Sequence, residues 1–373
     1  MNSNAIKKVL VFRIGQLGDI LVSVPAMWAL RDYFRQAQID LLYDVHPDNE
    51  YVTAFDVLDG SGIVDNFLYY HVHNDRLRNS VCFFRMSALI KQLRSGGYDA
   101  LVYLVPTDRS RYQLLRDVIF FRIAGIKEII SIDGFRYLPR KKSGELLPRL
   151  TQEGDLLLQR LEKSGIPVPP PGCGRVDVNI GPQEYLEVDS WLSQLPSDGG
   201  RPWIAVGPGS KMPAKIWPKE RYAAAVNRLI SDFDIWPVVF GGPEDVELAK
   251  YLTSQWHRGY IAAGSLIIRQ AIACMSKCAF FLGNDTGTMH MAVSAGLKCV
   301  AIFSARDYPG RWYPYGKGYV VLRSNAPCEG CMLEVCSKRK TECIMSICED
   351  DVFQACRTIL DNQLAVEAHV CKT

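Results

Sequence analysis

Short apolar runs alternate with stretches of helical spacing along most of the chain. Val9 to Ile14 is strand-like, then comes a turn at Gly15-Gln16-Leu17-Gly18-Asp19 and a helical stretch reaching Phe34. Further strands are predicted at Ile39 to Tyr43, Phe67 to Tyr70, Ala100 to Leu104 and Ile129 to Ile132, with helical patterns such as Met86 to Leu93 and Tyr112 to Ala124 between them. Repeated βα order implies an α/β fold with a parallel sheet covered by helices on both faces. Pro25 lies inside the first helical pattern, so that helix begins near it or bends there.

The rhythm breaks at the proline-rich stretch Ile166-Pro167-Val168-Pro169-Pro170-Pro171-Gly172, which stiffens the chain and cannot continue a helix. It places a domain boundary between a first domain over 1–170 and a second over 175–349. After a short strand at Val176 to Val178, a helix at Glu184 to Leu195 and the loop 196–200, the βα order restarts. Strands are predicted at Trp203 to Val206, Trp236 to Phe240, Ala279 to Leu282 and Val300 to Phe303. Helices are predicted from Trp217 to Phe233, with Pro218 at its first position, to about Trp256, near Ile267 to Ser276, and from Thr286 to Ala295. Two α/β units of similar size lead us to expect a site where the loops at the carboxyl ends of both sheets converge.

Composition narrows the chemistry. With 43 Lys plus Arg against 40 Asp plus Glu in 373 residues, the net charge of +3 gives no global field for nucleic acid, so any phosphate affinity must be local. No apolar run is long enough to span a membrane. Lys7-Lys8 before Val9 to Phe12 resembles a signal peptide, but Arg13 interrupts the run and no small-x-small site follows, so we expect a cytoplasmic protein. Twelve cysteines are then read as reduced thiols or metal ligands.

Asp19, in the turn leaving the first strand, reads either as a helix-capping carboxylate or as a general base for a hydroxyl nucleophile. Gly207-Pro208-Gly209-Ser210-Lys211 with Lys215 downstream reads as an exposed lysine loop or a phosphate site without the P-loop ending. Gly241 to Asp245 places carboxylates where a ribose can be met, although Asp245 reads best as first-turn acidic enrichment. Phe281 to His290 is more informative. Asp285 is expected as N-cap, the amides of Thr286, Gly287 and Thr288 at a helix N-terminus suit a diphosphate, and His290 either bonds phosphate or packs. Cys328, Cys331, Cys336 and Cys343 offer four thiols for a structural metal, at a spacing unlike common zinc ribbons, or a plain packed loop. Arg306 to Gly316 is aromatic and basic, with no role readable from its pattern.

Four stretches together resemble glycosyltransferase family 9, the ADP-heptose:lipopolysaccharide heptosyltransferases: Arg13 to Asp19 with Pro25, Lys215-Ile216-Trp217-Pro218, Phe240 to Glu244, and Asn284 to His290. The resemblance implies a GT-B fold, two Rossmann-like domains facing across a cleft, with the last helix, about Asp350 to Gln363 in segment 350–373, packing back on the first domain. It implies Asp19 as catalytic base and a nucleotide-sugar donor held by Ser210, Lys215, Glu244, Asp285, Thr286, Gly287, Thr288 and His290. A glycan or glycolipid acceptor would meet Gly18 and the basic residues Arg109, Arg111 and Arg136, with the Arg140-Lys141-Lys142 run available for peripheral docking on the inner membrane face. Transfer would invert the anomeric centre and need no metal, the leaving charge being met by Lys215 and the helix amides. The competing readings are a sugar-nucleotide epimerase or hydrolase, and a non-catalytic protein stabilised by metal at the four cysteines.

Overall fold

A computed structural model of the chain describes residues 5–47, 52–72, 79–135, 138–139, 145–337 and 339–370, with side chains 79–85 and 362–370 excepted. The chain divides into two units. The first comprises Met1–Pro139 and Glu153–Asn179, the second Arg140–Gln152 and Ile180–Thr373. The division therefore falls just past residue 179, beyond the proline-rich stretch, and a short segment ahead of Glu153 belongs to the second unit.

In the first unit the chain runs β1 (Lys8–Phe12), α1 (Leu17–Tyr33), β2 (Gln38–Val45), α2 (Ala54–Leu58), β3 (Asn66–His71), α3 (Asn79–Gly96), β4 (Ala100–Tyr103), α4 (Arg111–Ile123), β5 (Glu128–Ile130) and α5 (Glu153–Lys163). All strand pairs are parallel, in the order β3-β2-β1-β4-β5. The sequence order reverses between β1 and β4, the switch point at which open parallel sheets leave a crevice. Helix α1 is buried on every side from Ile20 to Leu30 and passes through Pro25 without a break. A helix apolar all round belongs in a core, and α1 packs there against α5.

Val176 to Val178 forms no strand. Val178 is buried, the Trp28 indole N–H donates to the Asp177 carbonyl at 2.8 Å, and the Arg175 guanidinium lies 3.4 Å from the Trp28 ring centroid. This stretch is pinned to α1 through Trp28.

The second unit runs α6 (Pro182–Leu192), β6 (Trp203–Gly207), α7 (Lys219–Phe233), β7 (Trp236–Val239), α8 (Val246–Trp256), β8 (Tyr260–Ile261), α9 (Ile268–Met275), β9 (Phe280–Asn284), α10 (Gly287–Ser294), β10 (Lys298–Phe303), β11 (Val320–Arg323), α11 (Glu342–Met345) and α12 (Glu349–Val370). Its parallel sheet has the order β11-β10-β9-β6-β7-β8, with its switch point between β6 and β9. Pro218 caps α7 from just outside the helix and is not its first residue.

Through residue 361, α12 packs on its own unit. Val352, Phe353, Cys356, Ile359 and Leu360 recur at three- and four-residue spacing and enter the core built around Trp217, Tyr222, Leu282 and Ile302. Helix α12 contacts α7 and the strands β9, β10 and β11. Among the described residues no helix is long and apolar enough to cross a membrane.

Trp217 is fully buried, meets Tyr222 edge to face at 4.9 Å and donates from its indole to the Ile347 carbonyl at 2.9 Å. Trp217→Ala should destabilise this unit by about 3–5 kcal/mol, read as a lower denaturant midpoint, whereas Trp217→Phe should retain part of that.

Candidate active site

In the first unit, the candidate residues Gly18 and Asp19 lie just past the carboxyl end of β1. Gly15 has φ +117°, and a Cβ there would lie 2.5 Å from the Asp19 Cβ, so only glycine makes this turn. The turn is held by the Gly15 N–H, which donates to Asp44 at 3.0 Å. Asp19 is the third residue of α1, and its carboxylate accepts from the Gln16 N–H at 3.1 Å. It is therefore a capping-box carboxylate as well as the candidate base, and with a side chain 30% exposed it is not sealed in the core. Gly18 lies beside it in the same helical turn.

Arg13 explains how Asp19 is held. It is completely buried, donates to the Leu104 carbonyl at 2.7 Å and to the Asp19 carbonyl, and sets its guanidinium 3.8 Å from the Asp19 carboxylate. Its sequence signal is a cation ending an otherwise apolar strand, VLVFRI. A second buried guanidinium, Arg160 from α5, caps the Val105 carbonyl at 2.8 Å and the Tyr103 carbonyl. Burial pushes Arg160 down to about 9, which leaves it charged at neutral pH.

The expected acceptor residues fare differently. Arg109 donates to Asp117 at 3.1 Å, and the same carboxylate accepts from the Tyr103 phenol at 2.6 Å and from Arg116. Its charge is thus engaged within the unit. Arg111 opens α4 at the surface. Arg136 and the run Arg140-Lys141-Lys142 lie outside the described residues.

The second unit builds a polar cluster at the switch point between β6 and β9. Gly207 and Gly283 let the two strand ends approach: a Cβ on Gly207 would lie 2.8 Å from the Thr288 hydroxyl, and one on Gly283 2.6 Å from the Gly207 carbonyl. Asn284, fully buried, clamps three segments together. Its amide donates to the Pro208 carbonyl at 2.6 Å, and its oxygen accepts from the Trp217 N–H at 3.2 Å and the Tyr222 phenol at 3.0 Å.

That clamp sets Lys215, in the 3₁₀ turn Pro213–Lys215, against Asp285 at 2.7 Å, with side chains 13% and 5% exposed. Asp285 is accordingly an ion-pair partner and not the expected N-cap; Thr286 occupies the N-cap position of α10. The Thr286 and Thr288 hydroxyls pair with each other at 2.7 Å, so the N-cap side chain does not close the first turn of α10, which carries the positive end of the helix dipole. Burial, reinforced by the Lys215 ammonium, pushes His290 down to about 3 and leaves a neutral imidazole at pH 7.

Ser210 sits in the loop after β6, its hydroxyl accepting from the Met212 N–H at 3.1 Å. Glu244 is exposed in the turn after β7, folded over Gly242. Its neighbour Asp245 sits in the first turn as expected, its carboxylate accepting from the Gly242 N–H at 3.1 Å, and it lies inward: a Cβ on Gly209 or Gly241 would strike that carboxylate. Burial raises its pKa. Asp245 thereby joins the Ser210 and Glu244 loops. The two inward polar residues that sequence reasoning left without a role, Asn284 and Asp245, share one signal, a polar residue at the end of an apolar strand or just past a diglycine.

Of the two readings of the cysteines, the metal site finds no support. Among the described residues no three His, Cys, Asp or Glu side chains converge on a metal-sized centre. Cys328, Cys331, Cys336 and Cys343 are half-buried thiols outside any disulfide. The Cys336 sulfur accepts from the Thr341 N–H at 3.3 Å within a tight turn, and burial pushes the Cys343 thiol up.

The His290 environment carries a stability consequence. An unfolded imidazole titrates near 6.5, so between there and about 3 the unfolded chain binds more protons. The stability that neutral His290 contributes is complete above about pH 6.5 and is lost as pH falls toward 3. His290→Gln should flatten the fall in urea stability between roughly pH 6 and 4 relative to the parent; an unchanged slope would place the imidazole in solvent.

Residues 180–342 match the model of glycosyltransferase family 9 (heptosyltransferase). Over 137 residues the chain is 34% identical to lipopolysaccharide heptosyltransferase 2 of Escherichia coli (strain K12), covering 35% of this chain and 37% of that protein, so the match spans about a third of the relative's length. The glycosyltransferase family 9 structure from Veillonella parvula DSM 2008 superposes with a TM-score of 0.70 at 21% identity, over 95% of this chain and 98% of that one. The structure of E. coli ADP-heptose lps heptosyltransferase II does so with 0.68 at 21% identity, over 95% and 99%. These likenesses fix an α/β fold of the GT-B type. The family match covers less than half of the chain but includes every loop of the Lys215 cluster, and over that stretch the chain is similar to glycosyltransferase family 9, the heptosyltransferases.

Proposed function

We propose that the protein is an inverting glycosyltransferase that moves a sugar, heptose from ADP-heptose, onto a lipopolysaccharide-type glycan acceptor. The observation that carries this reading is the buried Lys215–Asp285 pair at the open N-terminus of α10, at the switch point of a parallel sheet. Backbone amides, a dipole end and a poorly solvated ammonium together favour a diphosphate. The similarity of residues 180–342 to the heptosyltransferase family supports the choice of donor.

In this reading the second unit binds the leaving group. Lys215 and the amides of Gly287 and Thr288 neutralise the charge that develops on the diphosphate as the glycosidic bond breaks, a task they perform without a divalent ion. His290, neutral, donates or accepts a hydrogen bond and adds no charge. Glu244 accepts from ribose hydroxyls, and Ser210 and Thr286 offer hydroxyls to phosphate or sugar oxygens.

The first unit supplies the base. The Asp19 carboxylate takes the proton of an acceptor hydroxyl, whose oxygen forms a bond to the anomeric carbon on the side opposite the departing diphosphate, so the configuration inverts. Buried Arg13 sets a fixed positive charge beside that carboxylate. Gly18 leaves room for an acceptor next to it, and Arg111 is an anion contact at the surface.

Asp19→Asn should lower kcat by about 10²–10⁴-fold with donor affinity unchanged, measured by acceptor-dependent ADP release. Lys215→Ala should weaken ADP binding by about 10- to 100-fold by calorimetry. Because that change strands Asp285 at a nearly buried position, the comparison is made at a temperature where both proteins are folded by circular dichroism. Unaltered turnover in the Asp19→Asn variant would overturn the assignment of the base.

A further inference from the structure

A cavity of about 480 Å³ lies on the β11 edge of the second unit, apart from any residue used above. We propose that it binds an acidic sugar, one pyranose-sized ring carrying a carboxylate or phosphate. One wall is β11 and its approach, where Tyr319, Val321 and Arg323 alternate along the chain and so share a face. The other walls come from the 306–316 stretch and from the segment ahead of Glu153.

The walls are tied to one another. The Leu150 N–H donates to the Pro309 carbonyl at 2.8 Å, the Gln152 amide to the Pro314 carbonyl at 2.6 Å, and the Leu147 N–H to the Glu329 carboxylate at 3.0 Å. Gly310, at φ +93°, brings its backbone so near Leu150 that a Cβ would lie 2.2 Å from the carbonyl. The aromatic and basic loop is thus one side of a built cavity, and the segment 145–152 joins the second unit to form another.

Charge selects the ligand. Arg323 pairs with Glu329 at 2.6 Å, with side chains 7% and 2% exposed, and also donates to the Asp307 carbonyl at 3.1 Å, so these two charges cancel. Arg149 is exposed, with its guanidinium 5.6 Å from the Tyr313 ring centroid, and it leaves the cavity with one positive charge at its mouth. The phenols of Tyr313 and Tyr319, the amide of Asn325 and the carboxylate of Glu329 mix donors with acceptors, which suits an array of hydroxyls. The aromatic rings with Leu147 and Pro309 offer flat apolar faces to C–H groups. The volume lies in the range of small-ligand sites.

Tyr313 links the cavity to the donor cradle. Its ring packs on Phe303 at 4.8 Å, at the end of β10, and it lies within electrostatic reach of Asp285. A sugar held here would sit beside the cradle without sharing its residues. The proposal rests on the transferase reading for its purpose, the recognition of an acidic saccharide in the substrate, but not for its existence.

The test titrates D-glucuronic acid, glucose 6-phosphate, glucose and inorganic phosphate into the full chain, followed by saturation-transfer NMR, with ADP affinity measured in parallel. The two acidic sugars should bind, and Arg149→Gln should weaken them about tenfold while ADP affinity stays unchanged. Preference for glucuronic acid would name the carboxylate as the anion, and preference for glucose 6-phosphate the phosphate; either supports the proposal. Tyr319→Phe should weaken binding by a smaller factor. Equal binding of glucose, equal binding of inorganic phosphate, displacement by ADP, or undiminished acidic-sugar binding in the Arg149→Gln variant would each overturn it. Sugar binding is read without turnover, so an inactive enzyme that still binds acidic sugars would sink the transferase reading and leave this one standing.

Discussion

A lysine ammonium and an aspartate carboxylate lie 2.7 Å apart, nearly out of water, at the place where the second sheet reverses its strand order. Taking both charges out of solvent is costly, and their attraction offsets that cost only if the geometry is held firmly. Asn284 holds it, with three hydrogen bonds to three different segments, while Gly207 and Gly283 let the strand ends come close enough for one side chain to reach all of them. The neutral His290 follows from the same arrangement, because burial disfavours an imidazolium, and beside the Lys215–Asp285 pair it would be a cation with no carboxylate left to offset it. In such a medium a cation acts on a nearby anion more strongly than a solvated lysine does.

The first unit solves a related problem with arginine. Two buried guanidiniums, Arg13 and Arg160, spend their donors on carbonyls around the carboxyl end of β4, where the sheet has run out of strand partners. Arginine suits this role because it stays charged when buried and carries five donors in a rigid plane. One buried carboxylate, Glu153, faces Arg160 and also accepts from the Thr107 N–H and hydroxyl at 2.7 and 2.6 Å. Asp19, partly open to solvent, then stands 3.8 Å from Arg13 at the edge of this group.

Much of this was legible in the chain. Apolar runs and turn residues located most strands of both sheets, and Gly15 to Asp19, Lys215 and Asp285 to His290 were singled out by their places after strands or before helices. What the chain did not show shares a cause. Val176 to Val178 has the pattern of a strand but is held by Trp28, which lies about 150 residues earlier. Asp245 is the first-turn acid its position suggests, but the packing of the Gly209 loop against its carboxylate could not be read from its neighbours. Four clustered cysteines look like metal ligands, but among the described residues no three such side chains converge on one centre.

Local patterns fixed the βα order and the glycine turns, because period and turn chemistry act over a few residues and need no distant partner. Which polar residues became buried partners was decided only by tertiary structure: Arg109 was turned from a candidate anion contact into an Asp117 partner, Asp285 from a cap into a lysine partner, and residues 145–152 into a wall of the second unit. Burial depends on what packs from elsewhere in the chain, and the energy of a charge is set by that burial. No window of neighbouring residues contains that information.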